Sequence, residues 1–189
     1  YVVDAIGDVV EEAADGGIDR VTASIDYMLG ADVEQLRLTG AGDLDGTGNA
    51  LANTLTGNAG ANVLDGGVGN DTLSGGLGAD TLVGGTGLDR FFFNALDSSQ
   101  AASPDIILDF SRGQDRVQVD AIDPSAAPGN QAFLWIGSAG FTGTGVAQAR
   151  TWQDGTDTYA GFDDGSGGEA EMVIRFNGLL ALTATDFIL

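Results

Sequence analysis

Large apolar residues recur every nine positions in the middle of the chain, at Leu55, Leu64, Leu73, Leu82 and Phe91. Each is the centre of a three-residue segment that predicts a short strand with one inward-pointing side chain. The six residues between these segments are mostly Gly, Asp and Asn, which predict a turn because glycine reaches left-handed conformations without a Cβ clash. Two units then complete one coil, and stacked coils form two parallel sheets with strands about 4.8 Å apart.

Alignment on the apolar positions gives five consecutive units across residues 48–92. The last three, which begin at Gly66, Gly75 and Gly84, follow the pattern G-G-x-G-x-D-x-U-x without a mismatch, where U is a large apolar residue. The first two units carry Asn at the Asp position and lack some of the glycines. One unit cannot bury its own apolar side chain, so several must stack for stability.

The flanking segments are less regular, and no long amphipathic helix pattern occurs in them. We predict an all-β fold: a parallel β-roll of two stacked sheets, followed by a β-sandwich-like C-terminal cap. Its three parts are an irregular N-terminal roll extension (1–47), the repeat β-roll (48–93) and the cap (94–189). Further strands are predicted at residues 1–4, 8–11, 20–25, 36–38, 105–110, 116–119, 132–136, 148–152, 158–162, 171–176 and 186–189.

Two connections in the cap have clear turn chemistry. Residues 163–167, Asp-Asp-Gly-Ser-Gly, predict a hairpin turn, and we favour a solvated tip over a metal site for Asp163 and Asp164. Residues 123–130 hold two of the three prolines and predict an exposed loop.

The charge is strongly one-sided, with 28 acidic residues against 7 arginines and no lysine, giving a formal net charge of −21. Such a surface repels phosphate backbones and anionic lipid, so we expect neither nucleic-acid binding nor membrane insertion. The compact state also repels itself unless cations neutralise it. A merely soluble acidic surface is the alternative that composition leaves open.

Cys and His do not occur in the sequence. Disulfides, thiolate or imidazole zinc sites and Ser-His-Asp or Cys-His catalysis are therefore excluded. The metal chemistry that remains is a hard cation held by oxygen ligands. Calcium takes six to eight oxygens at about 2.3–2.6 Å, and glycine-rich turns expose carbonyls that no side chain shields. Stacking sets the acidic positions in pairs 18 residues apart, of which Asp71 and Asp89 form the two-carboxylate pair.

The repeat run resembles the repeats-in-toxin (RTX) nonapeptide family, whose turns bind calcium through carbonyls and Asp side chains. The resemblance implies three ligand sets in this chain. The first set is Gly66, Val68, Asp71, Gly85, Gly87 and Asp89. The second set is Gly57, Ala59, Asn62, Gly76, Gly78 and Asp80, and the third set is Gly48, Ala50, Asn53, Gly67, Gly69 and Asp71. The sets that contain Asn have one negative charge fewer, so we expect them to bind more weakly.

The segment after the repeats resembles the C-terminal domain of serralysin-type secreted metalloproteases. The residues that carry this likeness are 105–110 (Asp-Ile-Ile-Leu-Asp-Phe), 113–117 (Gly-Gln-Asp-Arg-Val), the hairpin at 159–165 and the ending Asp186–Leu189. The resemblance implies a terminal set made of Gly75, Leu77, Asp80, Asp97 and Asp105.

The same resemblance implies a secreted, extracellular protein that a type I secretion apparatus recognises through Asp186–Leu189, although an ordinary final strand also explains this segment. The chain has no signal-peptide pattern and opens like the middle of a strand, so we expect it to be part of a longer protein, and a monomer.

The leading hypothesis is a non-catalytic calcium-binding module that folds outside the cell and carries the export end of a larger protein, such as a metalloprotease. The alternative is an adhesive or polysaccharide-binding module of a secreted enzyme or surface protein. Exposed aromatics on a sheet face would favour it, but most of them are predicted in the core: Phe91, Phe92, Phe133, Trp135 and Phe176. Hydrolysis by paired carboxylates such as Asp105 and Asp109 is the weakest hypothesis, since no pocket pattern accompanies them.

Overall fold

The structure is a computed structural model that describes residues 1–13, 16–95, 99, 102–122, 132–143, 145–166 and 168–189. The predicted ligand Asp97 and the predicted loop at 123–130 lie outside the described residues. Within them, the chain forms seventeen strands and one 3₁₀ turn. The strands are β1 (Val2–Val3), β2 (Arg20–Ala23), β3 (Tyr27–Met28), β4 (Gln35–Leu38), β5 (Asp45–Thr47), β6 (Thr54–Thr56), β7 (Val63–Asp65), β8 (Thr72–Ser74), β9 (Thr81–Val83), β10 (Arg90–Phe92), β11 (Asp105–Ile107), β12 (Arg116–Gln118), β13 (Leu134–Trp135), β14 (Gln148–Gln153), β15 (Thr158–Asp163), β16 (Met172–Phe176) and β17 (Phe187–Ile188), and the 3₁₀ turn is Ala184–Asp186.

These strands build two sheets that run the length of the chain, as the predicted β-roll requires. One sheet has eight strands in the order β1-β2-β4-β6-β8-β10-β12-β17. The other has nine, in the order β13-β14-β15-β16-β11-β9-β7-β5-β3. Consecutive strands of the repeats alternate between the sheets and pair in parallel with the strand two units away. The all-β parallel roll predicted from the nine-residue spacing is therefore confirmed.

The core lies between the sheets and is a ladder of the recurring apolar residues. In the eight-stranded sheet, Leu36, Leu55, Leu73, Phe91, Val117 and Phe187 are in register from strand to strand. The facing ladder of the other sheet contains Leu64, Leu82, Ile107 and Phe176. All ten side chains are buried, at 6% exposure or less. Each strand contributes one inward side chain, so the hydrophobic driving force accumulates with every coil that stacks.

The cap continues both sheets instead of forming a separate core. Strands β14, β15 and β16 form an antiparallel meander, and β16 pairs in parallel with β11 of the roll. Strand β17 pairs with β12 at the end of the eight-stranded sheet. Phe162, Phe176 and Phe187 pack edge to face and connect the two sheets at this end. The predicted strand at 186–189 is shorter than expected, because the buried Asp186 ends a 3₁₀ turn.

Two sequence predictions are wrong in detail. Residues 8–11 form no strand: Asp8 Oδ2 accepts the amide hydrogens of Asp4 and Ala5, and Val9 points to solvent at 76% exposure. Phe92 is only half-buried, because alternation along β10 places Phe91 inside and therefore Phe92 on the outer face. None of the described residues forms a helix long and apolar enough to cross a membrane.

Candidate metal centre

The acidic positions of the repeats form two columns, one at an edge of each sheet. Six members are the residue immediately before a strand and Asp105 is the first residue of β11, so the parallel register of the strands stacks them. The column beside the eight-stranded sheet contains Asn53, Asp71, Asp89 and Asp115, and the column beside the nine-stranded sheet contains Asn62, Asp80 and Asp105. All seven are buried, at 3% exposure or less.

One hydrogen bond repeats along both columns. The backbone N–H of each member donates to the Oδ1 atom of the next. The distances are 2.7 Å from Asn53 to Asp71, 2.9 Å from Asp71 to Asp89 and 3.0 Å from Asp89 to Asp115. In the second column they are 2.8 Å from Asn62 to Asp80 and 2.9 Å from Asp80 to Asp105. This bond occupies one oxygen of each aspartate in the columns. The second oxygen of Asp115 accepts the amide hydrogen of Ser111 at 2.7 Å.

That second oxygen has no partner at three of the aspartates. The Oδ2 atoms of Asp71, Asp80 and Asp105 are buried and accept no hydrogen bond. A buried polar atom without a partner costs about 1–3 kcal/mol, and more when it is charged. Burial raises the pKa of Asp80 to about 6 and that of Asp105 to about 8, and it also raises the pKa of Asp71 and Asp115. Ionised carboxylates in these turns are therefore unfavourable unless a proton or a cation neutralises them.

The glycine at the start of each repeat keeps a space open beside the acid. A Cβ at Gly66 would lie 2.6 Å from Asp71 Oδ2 and 2.7 Å from the carbonyl oxygen of Gly84. A Cβ at Gly84 would lie 2.6 Å from Asp89 Oδ2. Carboxylate and carbonyl oxygens thus converge on a cradle that any other residue would fill. Oxygen atoms of these two types are what calcium selects, so the residues fit a calcium ion.

The asparagines behave differently, because hydrogen bonds satisfy them. Asn53 Oδ1 accepts the amide hydrogen of Asn49 at 2.7 Å, and its side-chain nitrogen donates to the carbonyl of Val33 at 3.1 Å. Asn49 also donates through its side chain to that carbonyl, at 2.7 Å. Asn62 accepts from Asn58 at 2.8 Å and donates to the carbonyl of Leu44 at 2.9 Å. Amide groups therefore hold the early turns together by hydrogen bonds alone.

The structure brings the members of the first set together in stacked turns. Val68 and Thr86 form a parallel bridge, and the amide of Thr86 donates to the Gly67 carbonyl at 2.9 Å. The turns of the second set stack through Leu77 and Asn58, and those of the third set through Val68 and Asn49, each at 3.2 Å. In the third set, the Gly67 carbonyl already accepts the hydrogen bond from Thr86, which leaves it one lone pair. Which carbonyls hold an ion stays a prediction.

Asp80 and Asp105 are the two aspartates of the terminal set that lie within the described residues. Pairing of β9 with β11 places Asp105 directly above Asp80, although they are 25 residues apart. Both carry an unpartnered buried Oδ2. The position is equivalent to the two-carboxylate pair Asp71 and Asp89, and Asp105 takes the place of a repeat aspartate.

The ligand sets predicted from the sequence did not include two acidic residues that contact the repeat turns. Asp115 continues the first column beyond Asp89, and Asp109 accepts the amide hydrogens of Gly84 at 2.9 Å and Gly85 at 2.7 Å. The signal for Asp115 is visible in the sequence: the run Asp115-Arg-Val repeats the Asp89-Arg-Phe run of the last repeat. A spacing of 26 residues instead of 18 hides it from a search for a fixed period.

Comparison with known proteins agrees with this architecture. The family described as peptidase M10 serralysin C terminal matches residues 35–189. The solution structure of the AlgE6R3 subunit of the Azotobacter vinelandii mannuronan C5-epimerase is 30% identical, with 79% of this chain and 80% of that one covered and a TM-score of 0.56. The AlgE6R2 subunit of the same epimerase is 29% identical over 79% of this chain and 94% of that one, with a TM-score of 0.44. No curated protein matches this sequence.

The family match and the AlgE6R3 structure confirm the resemblance that the repeats and the ending of the chain predicted. The matched family is by its description the C-terminal part of a peptidase, and the solved neighbour is one subunit of an epimerase.

Proposed function

This chain belongs to the peptidase M10 serralysin C-terminal family, and we propose that it is a calcium-binding, non-catalytic module that folds when calcium binds outside the cell. The observation that carries the proposal is the set of buried Oδ2 atoms without partners at Asp71, Asp80 and Asp105. They lie in stacked turns whose glycines leave room for an ion. The best-supported sites are the two with two aspartates, Asp71 with Asp89 and Asp80 with Asp105.

A bound calcium ion would supply positive charge and coordination to oxygens that have no other partner. The chain's own residues provide the rest of the switch. The hydrogen-bond columns set the turns at a fixed separation, and the apolar ladders add a favourable contact for every coil that forms. A ligand that binds only the folded state adds about 2.7 kcal/mol when its concentration is a hundredfold above Kd. A few such sites are comparable to the whole stability of a small domain.

Circular dichroism of the full chain against calcium concentration tests the folding switch. We expect little β-structure in excess chelator and a cooperative gain between about 10⁻⁴ and 10⁻³ M calcium, the range of extracellular modules. Magnesium at equal concentration is the control ion, because it demands a smaller octahedral site. An unchanged β-sheet spectrum in chelator would overturn the proposal.

Export of a larger protein through a type I secretion apparatus is the second part of the proposal, and the family assignment supports it. The test compares secretion of the full protein with that of a variant lacking Asp186–Leu189. Loss of export with an unchanged calcium-induced spectrum would support recognition of this segment. Phe187 packs in the core, so the spectrum must accompany the assay; equal export of both proteins would contradict the role.

Binding of an anionic polysaccharide is a second candidate function, which the outer face of the eight-stranded sheet favours. Four of the seven arginines lie on this face, at Arg20, Arg37, Arg90 and Arg116. Between them are hydroxyl and amide side chains, and a depression of about 410 Å³ is lined by Thr54, Leu55, Thr56, Thr72, Ser74, Arg90, Phe92, Asn94 and Gln118. This concentration of positive charge is unexpected on a chain of net charge −21. The mannuronan named for the neighbour is a polymer of uronate sugars, which such a face suits.

Calorimetric titration with mannuronan and with neutral dextran, at constant calcium, tests this candidate. We expect binding of the polyuronate alone, and at least a tenfold loss when Arg37→Gln and Arg90→Gln are combined. Arg112→Gln is the matched control, because Arg112 lies outside the face and pairs with Asp186. Equal binding of dextran, or an unchanged affinity in the double variant, would contradict it.

A further inference from the structure

The cap contains a cluster of three carboxylates that is separate from the repeats. It consists of Asp163, Asp164 and Glu171, at the turn end of the hairpin formed by β15 and β16. One carboxylate oxygen from each residue lies within 4.8 Å of the other two. Two oxygens on opposite sides of one calcium ion are ~4.6–5.2 Å apart, so the cluster has the dimensions of a calcium site.

Asp163 gives independent evidence that the cluster has a ligand. Its side chain is completely buried, at 0% exposure, and its Oδ2 atom has no hydrogen-bond partner. The expectation of a solvated hairpin tip is therefore wrong for Asp163. Its other oxygen, Oδ1, accepts the amide hydrogen of Gly165 at 3.0 Å, which holds the carboxylate in the cluster.

The cover over Asp163 is a second loop of the cap. Gly165 has a φ of +90°, and a Cβ there would lie 2.7 Å from the amide nitrogen of Val146. The amide of Gly145 donates to the Gly165 carbonyl at 3.0 Å, so the hairpin tip is closed against residues 145–146. This close packing keeps water from the carboxylate and explains why a hairpin position is buried.

Neighbouring side chains do not neutralise the cluster. Gln148, opposite Asp163 on β14, uses its amide on Thr142, with distances of 3.0 and 2.8 Å. The ion pairs found in the described part of the chain, Arg112 with Asp186 and Arg175 with Asp157, do not include the cluster. Burial, together with the charges of Asp164 and Asp163, raises the pKa of Glu171. Three carboxylates, one of them fully buried, have no ion-pair partner here, and a bound cation would supply the missing positive charge.

We propose that Asp163, Asp164 and Glu171 bind one divalent cation of the hard, oxygen-preferring class, with calcium as its expected occupant. The ion would join the end of β15 to the start of β16 and keep the hairpin closed against residues 145–146. This site does not depend on the nonapeptide repeats: it is formed by side chains of an antiparallel hairpin, not by stacked glycine turns.

The experiment counts bound calcium in the full chain. Equilibrium dialysis at saturating calcium, followed by elemental analysis, gives the number of ions per chain for the wild type and for Asp163→Asn and Glu171→Gln. Both variants keep a side-chain oxygen for the hydrogen bonds to Gly165 and Asp164. We expect each to lose one bound ion while the repeat sites stay filled. Glu169→Gln is the matched control, since it removes the same charge from an exposed residue of the same loop.

A second readout separates loss of the site from loss of the fold. Circular dichroism in calcium must match the wild type, and if Asp163→Asn fails this requirement, Glu171→Gln decides the result. In calcium-saturated samples, where all variants are folded, the amide resonances of Asp164 and Gly165 should match between the wild type and Glu169→Gln and should differ in Glu171→Gln. An equal ion count in all folded variants would overturn the proposal.

Discussion

Asp and Asn occupy the same position in these turns, yet their surroundings differ in a way that decides their chemistry. Asn53 and Asn62 have their oxygen and nitrogen atoms satisfied by neighbouring backbone. Asp71 and Asp80 have an oxygen that is satisfied by the column and another that is not. The early turns are therefore complete without an ion, and the later turns are complete only with one or with a proton.

Removing one buried charge should stabilise the calcium-free roll. Burial raises the pKa of Asp105 from its ordinary value of 3.8 to about 8 in the folded state. Its contribution to stability is present below the unfolded pKa and is lost as the pH rises through about 8. In Asp105→Asn, with calcium removed by a chelating resin, we expect at least a tenfold higher ratio of folded to unfolded chain at pH 8.5, about 1.4 kcal/mol. Because the calcium-free wild type has little folded structure, circular dichroism in a series of sucrose concentrations, extrapolated to no sucrose, measures this ratio.

Asp154→Asn is the control for Asp105→Asn, because its expected effect on stability has the opposite sign. Hydrogen bonds from the amides of Asp157 and Thr156 and from the Tyr159 hydroxyl lower the pKa of Asp154 to about 2. Asp154 therefore stabilises the fold above its unfolded pKa, and Asp154→Asn should lower stability at pH 8.5. Asp105→Asn should also weaken the calcium response, which Asp154→Asn should leave intact. A calcium-free Asp105→Asn chain that is no more stable than the wild type would contradict the expected cost of the buried charge.

Single strands of three residues carry little information, and the sequence could predict them only because they repeat. The period of nine placed β6 to β10 and their inward residues correctly, since each repeat has one large apolar side chain. The period alone did not join Asp105 to Asp80, which only the family resemblance placed in one set. The stacking of Asp115 on Asp89 was missed, because that contact depends on how an irregular connection returns to the sheet. The burial of Asp163 likewise depends on a distant loop, which hairpin chemistry does not reveal.

A turn of the roll should tolerate a side chain poorly when another turn lies against it. Gly85 has a φ of +89° and a Cβ there would overlap the Gly67 carbonyl oxygen of the stacked turn. Gly113 has a similar φ of +83°, but a Cβ there would meet nothing within 4 Å. Both alanine variants carry the backbone strain, about 1–2 kcal/mol, while only Gly85→Ala also pushes two turns apart. We expect Gly85→Ala to be less stable than Gly113→Ala by about 1–3 kcal/mol.

Calcium titrations of Gly85→Ala and Gly113→Ala show whether the loss of stability arises at the calcium site. Gly85→Ala should shift the calcium midpoint for folding to higher concentration, and Gly113→Ala should leave it close to that of the wild type with similar backbone strain. Equal midpoints and equal stability in the two variants would mean that close stacking of the turns is not required for the site.

At the scale of the whole molecule, two kinds of repulsion oppose folding, and salt distinguishes them. The net charge of −21 acts through solvent, where 1 M salt reduces the screening length to about 3 Å. The buried oxygens of Asp71, Asp80 and Asp105 are not reached by solvent ions. We therefore expect 1 M sodium chloride to compact the calcium-free chain, as seen by its hydrodynamic radius, without restoring the β-sheet spectrum. Calcium should restore it at a thousandfold lower concentration.

Salt should also move the calcium midpoint in a defined direction. Screening weakens the general attraction between the acidic chain and the cation, so the midpoint should rise as sodium chloride increases, while the final spectrum stays the same. Magnesium chloride at matched ionic strength controls for screening by a divalent ion. Folding in 1 M sodium chloride without calcium would show that diffuse charge repulsion is the main barrier. In that case the buried aspartates would be stable in protonated form, and occupied turns would not be needed to hold the roll together.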